Sequence, residues 1–114
     1  MKSAQPDLAA MIWSPFGSAA QARDAAGVLL HERLVGCANI LPEVQSIFNY
    51  EGKIQSDSEV GVLFKTHGNL LDAATARLAE LHPYDTPAIC GWLVDRAPLA
   101  TREWLAGLQT GERP

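Results

Sequence analysis

The sequence predicts an α+β fold of the ferredoxin-like kind, with elements in the order β-α-β-β-α-β and one extra helix at the C-terminal end. Three observations predict it. Two segments with helical apolar spacing each lie between segments of strand character. The two middle strand segments are joined by a tight turn at Glu51-Gly52-Lys53. A further helical segment follows the last strand. Two β-α-β halves joined by a hairpin give a mostly antiparallel sheet with helices on one face.

Each element has its own warrant. Asp7 to Ser14 is a short apolar run that fits a buried strand, broken by Pro15-Phe16-Gly17. Ser18 opens a helix, with Gln21 three residues on as in a capping box. Ala22, Ala26, Leu29, Leu30 and Leu34 then form one apolar face. Gly27 costs that helix about 1 kcal/mol relative to alanine, which predicts close packing against the sheet. Gly36 fits the C-terminal stop. Cys37 to Tyr50 reads as a long strand interrupted at Pro42, which cannot donate to a ladder and so marks an edge, bend or bulge. From Glu59 to Thr66, Val60, Val62 and Phe64 alternate with Gly61, Leu63 and Lys65, the mark of a half-buried strand. Asn69 with Asp72 caps a second helix built on Leu70, Ala74, Leu78 and Leu81, which stops near His82 because of Pro83. Thr86 to Val94 is the fourth strand. Pro98 fits the first turn of a last helix that buries Leu99, Trp104, Leu105 and Leu108. The central hairpin is too long for so small a sheet. An overhanging strand edge invites pairing, so neighbouring subunits are expected to cover it.

Composition sets outer bounds. The 114 residues make one domain, with a core of about residues 7–108. At 47% hydrophobic and 19% charged, the chain is globular rather than a disordered tail. The net charge of −4 is shared evenly between the halves, and 9 basic against 13 acidic residues leave no basic face for nucleic acid. No stretch approaches the roughly 20 apolar residues of a membrane span. Met1 to Asp7 carries one lysine and no apolar signal-type run. The two cysteines, Cys37 and Cys90, are too few for a disulfide scaffold and read as reduced thiols. Together these point to the cytoplasm.

Five residues stand out as candidates for binding. His82 lies at a helix end beside Tyr84 and Asp85, where a neutral imidazole can bind a metal, or simply cap the last helix carbonyls. Cys37 opens the second strand; its thiolate suits Cu(I), while core packing is the plainer role. Lys65 ends a strand before a helix start, where it suits an anion or an ion pair with Glu59 or with a neighbouring subunit. Asn39 lies beside the strand bend and serves either a ligand or a backbone group. The Tyr84 hydroxyl is suited to bonding across a subunit junction. Cys37 and His82 are thus the metal candidates, and Asn39, Lys65 and Tyr84 the ligand-binding candidates. Cys90 reads as core, and His31 and His67 as surface. No C-x-x-C, H-x-H or H-E-x-x-H spacing occurs. Nor is there a G-x-S-x-G elbow, a P-loop or a G-x-G-x-x-G. Catalysis at a cleft with His82 as base would need a partner acid, and Asp85 is the one carboxylate near it in sequence. No catalytic residue is assigned.

Four segments carry a resemblance. Glu32 to Ile40 fits E-x-L-x-x-C-x-N-I, and Ser46 to Ile54 resembles S-x-Y-x-W-x-G-x-I. Phe64-Lys65-Thr66 fits x-K-T, and His82 to Pro87 fits H-P-Y-x-x-P. In order and spacing they resemble the CutA-type divalent-cation tolerance family across roughly residues 8–108. The resemblance implies a ferredoxin-like subunit in a tight homotrimer built by strand pairing between subunits, similar to the PII signalling trimers. It also implies a link to copper and other divalent metals, and no reaction. The chain departs from the pattern at Phe48 and Tyr50, where the family has Tyr and Trp, and at Ser14-Pro15-Phe16, where it often has Thr-Ala-Pro. Trp13 stands where some members have Cys, and Ala88 where Glu is common, so two donors of a family-type metal site are missing. The resulting expectation is a trimeric module that holds a divalent or copper ion, or a small ligand, weakly between subunits, with water or a neighbour's carboxylate completing the shell. The alternative is a structural trimer that docks a partner protein, with the metal response indirect.

Overall fold

The structure is a computed structural model and describes residues 7–110. The elements are β1 (Ala9–Phe16), α1 (Ala19–His31), β2 (Cys37–Tyr50), β3 (Lys53–His67), a 3-10 turn (Gly68–Leu70), α2 (Leu71–Leu81), β4 (Cys90–Leu93) and α3 (Leu99–Thr110). The strands form one antiparallel sheet in the order β2-β3-β1-β4. This is the expected α+β order, with the extra C-terminal helix and the long central hairpin.

Local chemistry explains the boundaries. Contrary to expectation, Pro15 and Phe16 do not break β1; they pair with Gly61 and Val60. β4 pairs with β1 only from Ala10 to Trp13. Past Trp13 that side of β1 is open, and an unpaired side is where a proline's missing N–H is tolerated. Ser18 caps α1 by accepting the Gln21 N–H at 3.2 Å. The C-terminal stop is not Gly36 but Arg33, at φ 62. Leu34 N–H bonds to the Leu29 carbonyl and Arg33 N–H to the Leu30 carbonyl, closing a Schellman turn. Gly36 serves close approach instead: its N–H bonds to the Lys65 carbonyl, and a Cβ there would sit 3.0 Å from Leu105. Gly27 is exposed with open space around it, so the expected packing against the sheet is absent and nothing in the structure explains this glycine.

The hairpin is continuous from Cys37↔Lys65 to Tyr50↔Lys53, with one register slip between Leu41 and Val44, around Pro42. Glu51 and Gly52 both have positive φ (52 and 78), as a two-residue type I′ turn requires. β3 begins at Lys53, earlier than the Glu59 its apolar alternation suggested. Its first half is held by the ladder with β2, so no buried face marks it. β4 is shorter than Thr86–Val94. The turn into α2 is capped by His67, whose Nδ1 accepts the Asn69 N–H at 3.1 Å, and not by Asn69 with Asp72. α2 ends at Leu81, before His82-Pro83, as expected.

α1 and α2 cover one sheet face. The core there holds Ile12, Phe16, Val62, Phe64, Leu29 and Leu78, all wholly buried. α3 lies across the opposite face at the end marked by Gly36 and His67, where Leu105 is buried. The rest of that second face is built from cross-strand rows. Cys37, Lys65, Met11 and Trp92 form one; Asn39, Leu63, Trp13 and Cys90 form the next. Cys90, expected in the core, is exposed because β4 is a sheet edge whose residue 90 points to this uncovered face. His67, expected at the surface, is 1% exposed, since α3 closes over it.

Candidate functional site

The five candidates separate into two groups on opposite sides of the sheet. Cys37, Asn39 and Lys65 share the second face. Cys37 and Lys65 are direct cross-strand partners, and the Cys37 thiol donates to Asn39 Oδ1 at 3.5 Å. Cys37 and Lys65 are half-buried and Asn39 is exposed. Lys65 does not pair with Glu59, which lies six residues away on β3, roughly 20 Å at the strand rise.

His82 and Tyr84 lie at the corner where α2 ends against the open side of β1. His82 is 6% exposed and stacks on Phe16, with ring centroids 4.2 Å apart and planes 12° apart. Its Nδ1 accepts the Tyr84 N–H at 3.2 Å, and its Nε2 faces the Pro15 carbonyl at 2.9 Å. That network assigns a neutral ring with the proton on Nε2. Burial lowers the His82 pKa; the Pro15 carbonyl and Glu59 pull it partly back. Both ring nitrogens are thus engaged within the chain, by the Pro15 carbonyl and the Tyr84 N–H. His82 also lies on the opposite side of the sheet from Cys37, so the two metal candidates are not brought together. Among the described residues, no three His, Cys, Asp or Glu side chains gather closely enough to hold a metal ion.

Tyr84 bonds within its own chain: its hydroxyl donates to Glu59 Oε2 at 2.8 Å. Burial first, then the Glu59 carboxylate, pushes the phenol up to about 12. Glu59 is the residue at this corner that sequence reasoning missed, since its position in the chain suggests only a partner for Lys65. Its real partner lies 25 positions away and is brought close only when the segment after α2 folds back over the end of β1. The far end of that segment is pinned by Ser14, whose hydroxyl donates to the Ala88 carbonyl at 2.9 Å. A second buried histidine was also missed: His67 meets Asp7 Oδ1 at 2.8 Å and accepts from Asn69 and Gln109.

A ferredoxin-like sheet with an overlong hairpin, one covered face and a closed histidine–tyrosine corner defines a small α+β class of protein. The chain belongs to the CutA1 divalent ion tolerance family, whose sequence pattern matches residues 10–107. The divalent-cation tolerance protein CutA of Pyrococcus horikoshii is 39% identical over 95 residues, covering 83% of this chain and 92% of that protein. The chloroplastic CutA 1 protein of Oryza sativa is 38% identical over 80 residues, which is 70% of this chain but 45% of that protein. The chain spans about half the length of this and several other plant and animal relatives. The crystal structure of CutA1 from Ehrlichia chaffeensis superposes with a TM-score of 0.84 at 26% identity, covering 91% of this chain and 97% of that one. The crystal structure of CutA1 from Pyrococcus horikoshii gives 0.81 at 35% identity, covering 87% and 96%. No helix among the described residues is long and apolar enough to cross a membrane.

Proposed function

We propose that the chain is the subunit of a cytoplasmic homotrimer that takes up a divalent or copper ion, or a small ligand, weakly at subunit junctions. No chemical reaction is part of this reading. The observation that carries it is a set of exposed apolar side chains on the outer half of the hairpin. Ile47 is 76% exposed, Ile54 80% and Tyr50 57%, on paired strands with nothing of their own chain to cover them. Ile47 and Ile54 share one face of the ribbon and Tyr50 lies on the other, and large apolar side chains left open in this way mark a contact surface. The relatives named for divalent-cation tolerance supply the metal class. Within the chain, Cys37 with Asn39 is the donor pair placed for a soft ion, and Lys65 in the same row suits an anionic ligand. Tyr84 acts through Glu59 at the corner.

Light scattering of the native protein should give three times the 12.3 kDa chain mass. Calorimetric titration with copper and zinc should give weak binding that Cys37→Ser abolishes. A monomer that takes up no metal would overturn the proposal. A trimer whose metal binding is absent, or untouched by Cys37→Ser, would favour the partner-docking scaffold, a reading supported by the engagement of both His82 nitrogens within the subunit.

A further inference from the structure

The helix layer carries a groove that none of the five candidates lines. It runs between α1 and the end of α2, has a volume of about 260 Å³, and is lined by Gln21, Asp24, Ala25, Val28, Leu81 and Pro83. Positions 21, 24, 25 and 28 recur at helical spacing, so they share one face of α1. Ala25 at the floor is buried and too short to fill the gap between the helices. α2 stops at Leu81, and His82 turns inward to stack on Phe16. Pro83 is thereby left outside as an end wall, and Val28 and Leu81 remain half-buried.

The groove is apolar below and electronegative at its rim. Ala25, Val28, Leu81 and Pro83 offer hydrocarbon. Gln21 and Asp24 are exposed and lie about one turn apart on α1. Among the described residues, no hydrogen bond or ion pair engages the Asp24 carboxylate. The arginine of α2, Arg77, is committed elsewhere: it holds Glu32 at 2.9 Å and Glu80 at 3.6 Å. Arg23 precedes Asp24 but lies about 100° around the helix from it. The groove therefore favours a cation over an anion. Its volume falls just below the roughly 300–1,000 Å³ of drug-sized sites, so the occupant is small.

We propose that this groove binds a small primary alkylammonium ion, with its hydrocarbon chain on Ala25, Val28, Leu81 and Pro83 and its ammonium on Asp24 and Gln21. The site is separate from Cys37, Asn39 and Lys65, which lie across the sheet, and does not depend on the reading of that face. Asp24 is open to water and salt, so the charge sets the preference for a cation while the apolar floor supplies most of the binding.

An amide NMR titration of the full-length protein at constant ionic strength reads the site directly. The probes are n-butylammonium, n-hexylammonium, n-hexanol and n-hexanoate. Hexylammonium should give saturable shifts confined to the amides of residues 21–28, Leu81 and Tyr84. Each added methylene that reaches the floor should tighten binding by up to about fourfold, so hexylammonium should bind better than butylammonium. Asp24→Asn should weaken hexylammonium about twofold to fivefold, the range for an exposed ion pair, and leave hexanol unchanged. Val28→Lys sets an ammonium one turn from Asp24 and covers the floor, so binding of both should be lost. The proposal is overturned by shifts that fail to saturate or that spread over the sheet, or by hexanoate binding as tightly as hexylammonium. Hexylammonium binding that is untouched by Asp24→Asn, or that survives Val28→Lys, overturns it equally.

Discussion

The two faces of the sheet are made from alternate residues of the same strands and end in different conditions. Under α1 and α2, Ile12, Phe16, Val62 and Phe64 are fully buried. On the other face their immediate neighbours Met11, Trp13 and Leu63 are only half-buried, and Trp92 is 44% exposed. The alternation divides the residues into two sets, and helix coverage decides which set becomes core. An apolar set left open is the physical ground for expecting subunit contacts.

The sharpest way to break this comparison is to cut the closed face. Phe64→Ala should cost about 3–5 kcal/mol in denaturant unfolding, the range for a large core aromatic. A loss near the level of a surface change would erase the distinction between the faces. A smaller effect probes the open face. Gly61 lies directly beneath the Trp13 indole, and a methyl there would overlap the ring and press on Val44. Gly61→Ala should destabilise by about 1–3 kcal/mol, as overpacking does, and adding Trp13→Val should recover most of it. Failure of that rescue would show that the indole does not set the spacing between β1 and the bulge of β2.

Tyr84→Phe removes the hydrogen bond to Glu59 and should cost about 0.5–1.5 kcal/mol at neutral pH. Its pH signature has a definite sign. The phenol is raised to about 12 in the folded chain, so its contribution is present below the ordinary tyrosine value of about 10 and fades as pH rises through the interval between them. An alkaline unfolding series should show this decline in the wild type and not in the variant. The smallest change in stability belongs to the hairpin tip. Ile54→Lys should alter unfolding of the chain itself by no more than about 0.5 kcal/mol, while lowering the native mass if the tip is an assembly surface. A large intrinsic loss would mean that the tip packs on its own subunit.

Much of the fold was legible because its signals are local. The Ser18 cap, the Glu51-Gly52 turn, the stop before Pro83 and the bulge at Pro42 each depend on neighbours within a few residues. The errors share a physical cause. The first half of β3 is polar and held by its ladder with β2, so no periodicity announced it. Cys90 reads as core by type and is exposed because β4 closes the sheet. His67 reads as surface and is buried by α3, which follows it by over thirty positions in the chain. Glu59 was missed for the same reason: its partner Tyr84 arrives through the path of the chain rather than through spacing. Of the five candidates, His82 and Tyr84 were read as neighbours at a helix end, while Cys37 and Asn39 were read separately and are joined by a hydrogen bond along one face of β2. That the two pairs occupy opposite sides of the sheet is a property of strand order.

The His67 ring has a consequence for the wiring of the chain. Asp7 and Gln109, near opposite ends of the sequence, bond to the same imidazole. Asp7 and Gln109 are therefore side by side, while the turn at Glu51-Gly52 has open space around Gly52. A circular permutant that joins residue 110 to residue 7 through a short flexible linker, and opens the chain at Gly52, would cut no ladder and cross no core. In such a chain the long β2–β3 pairing would become the most distant contact in sequence instead of the nearest. How far folding slows would then measure what the tight turn contributes to the rate, separately from what it contributes to the final structure.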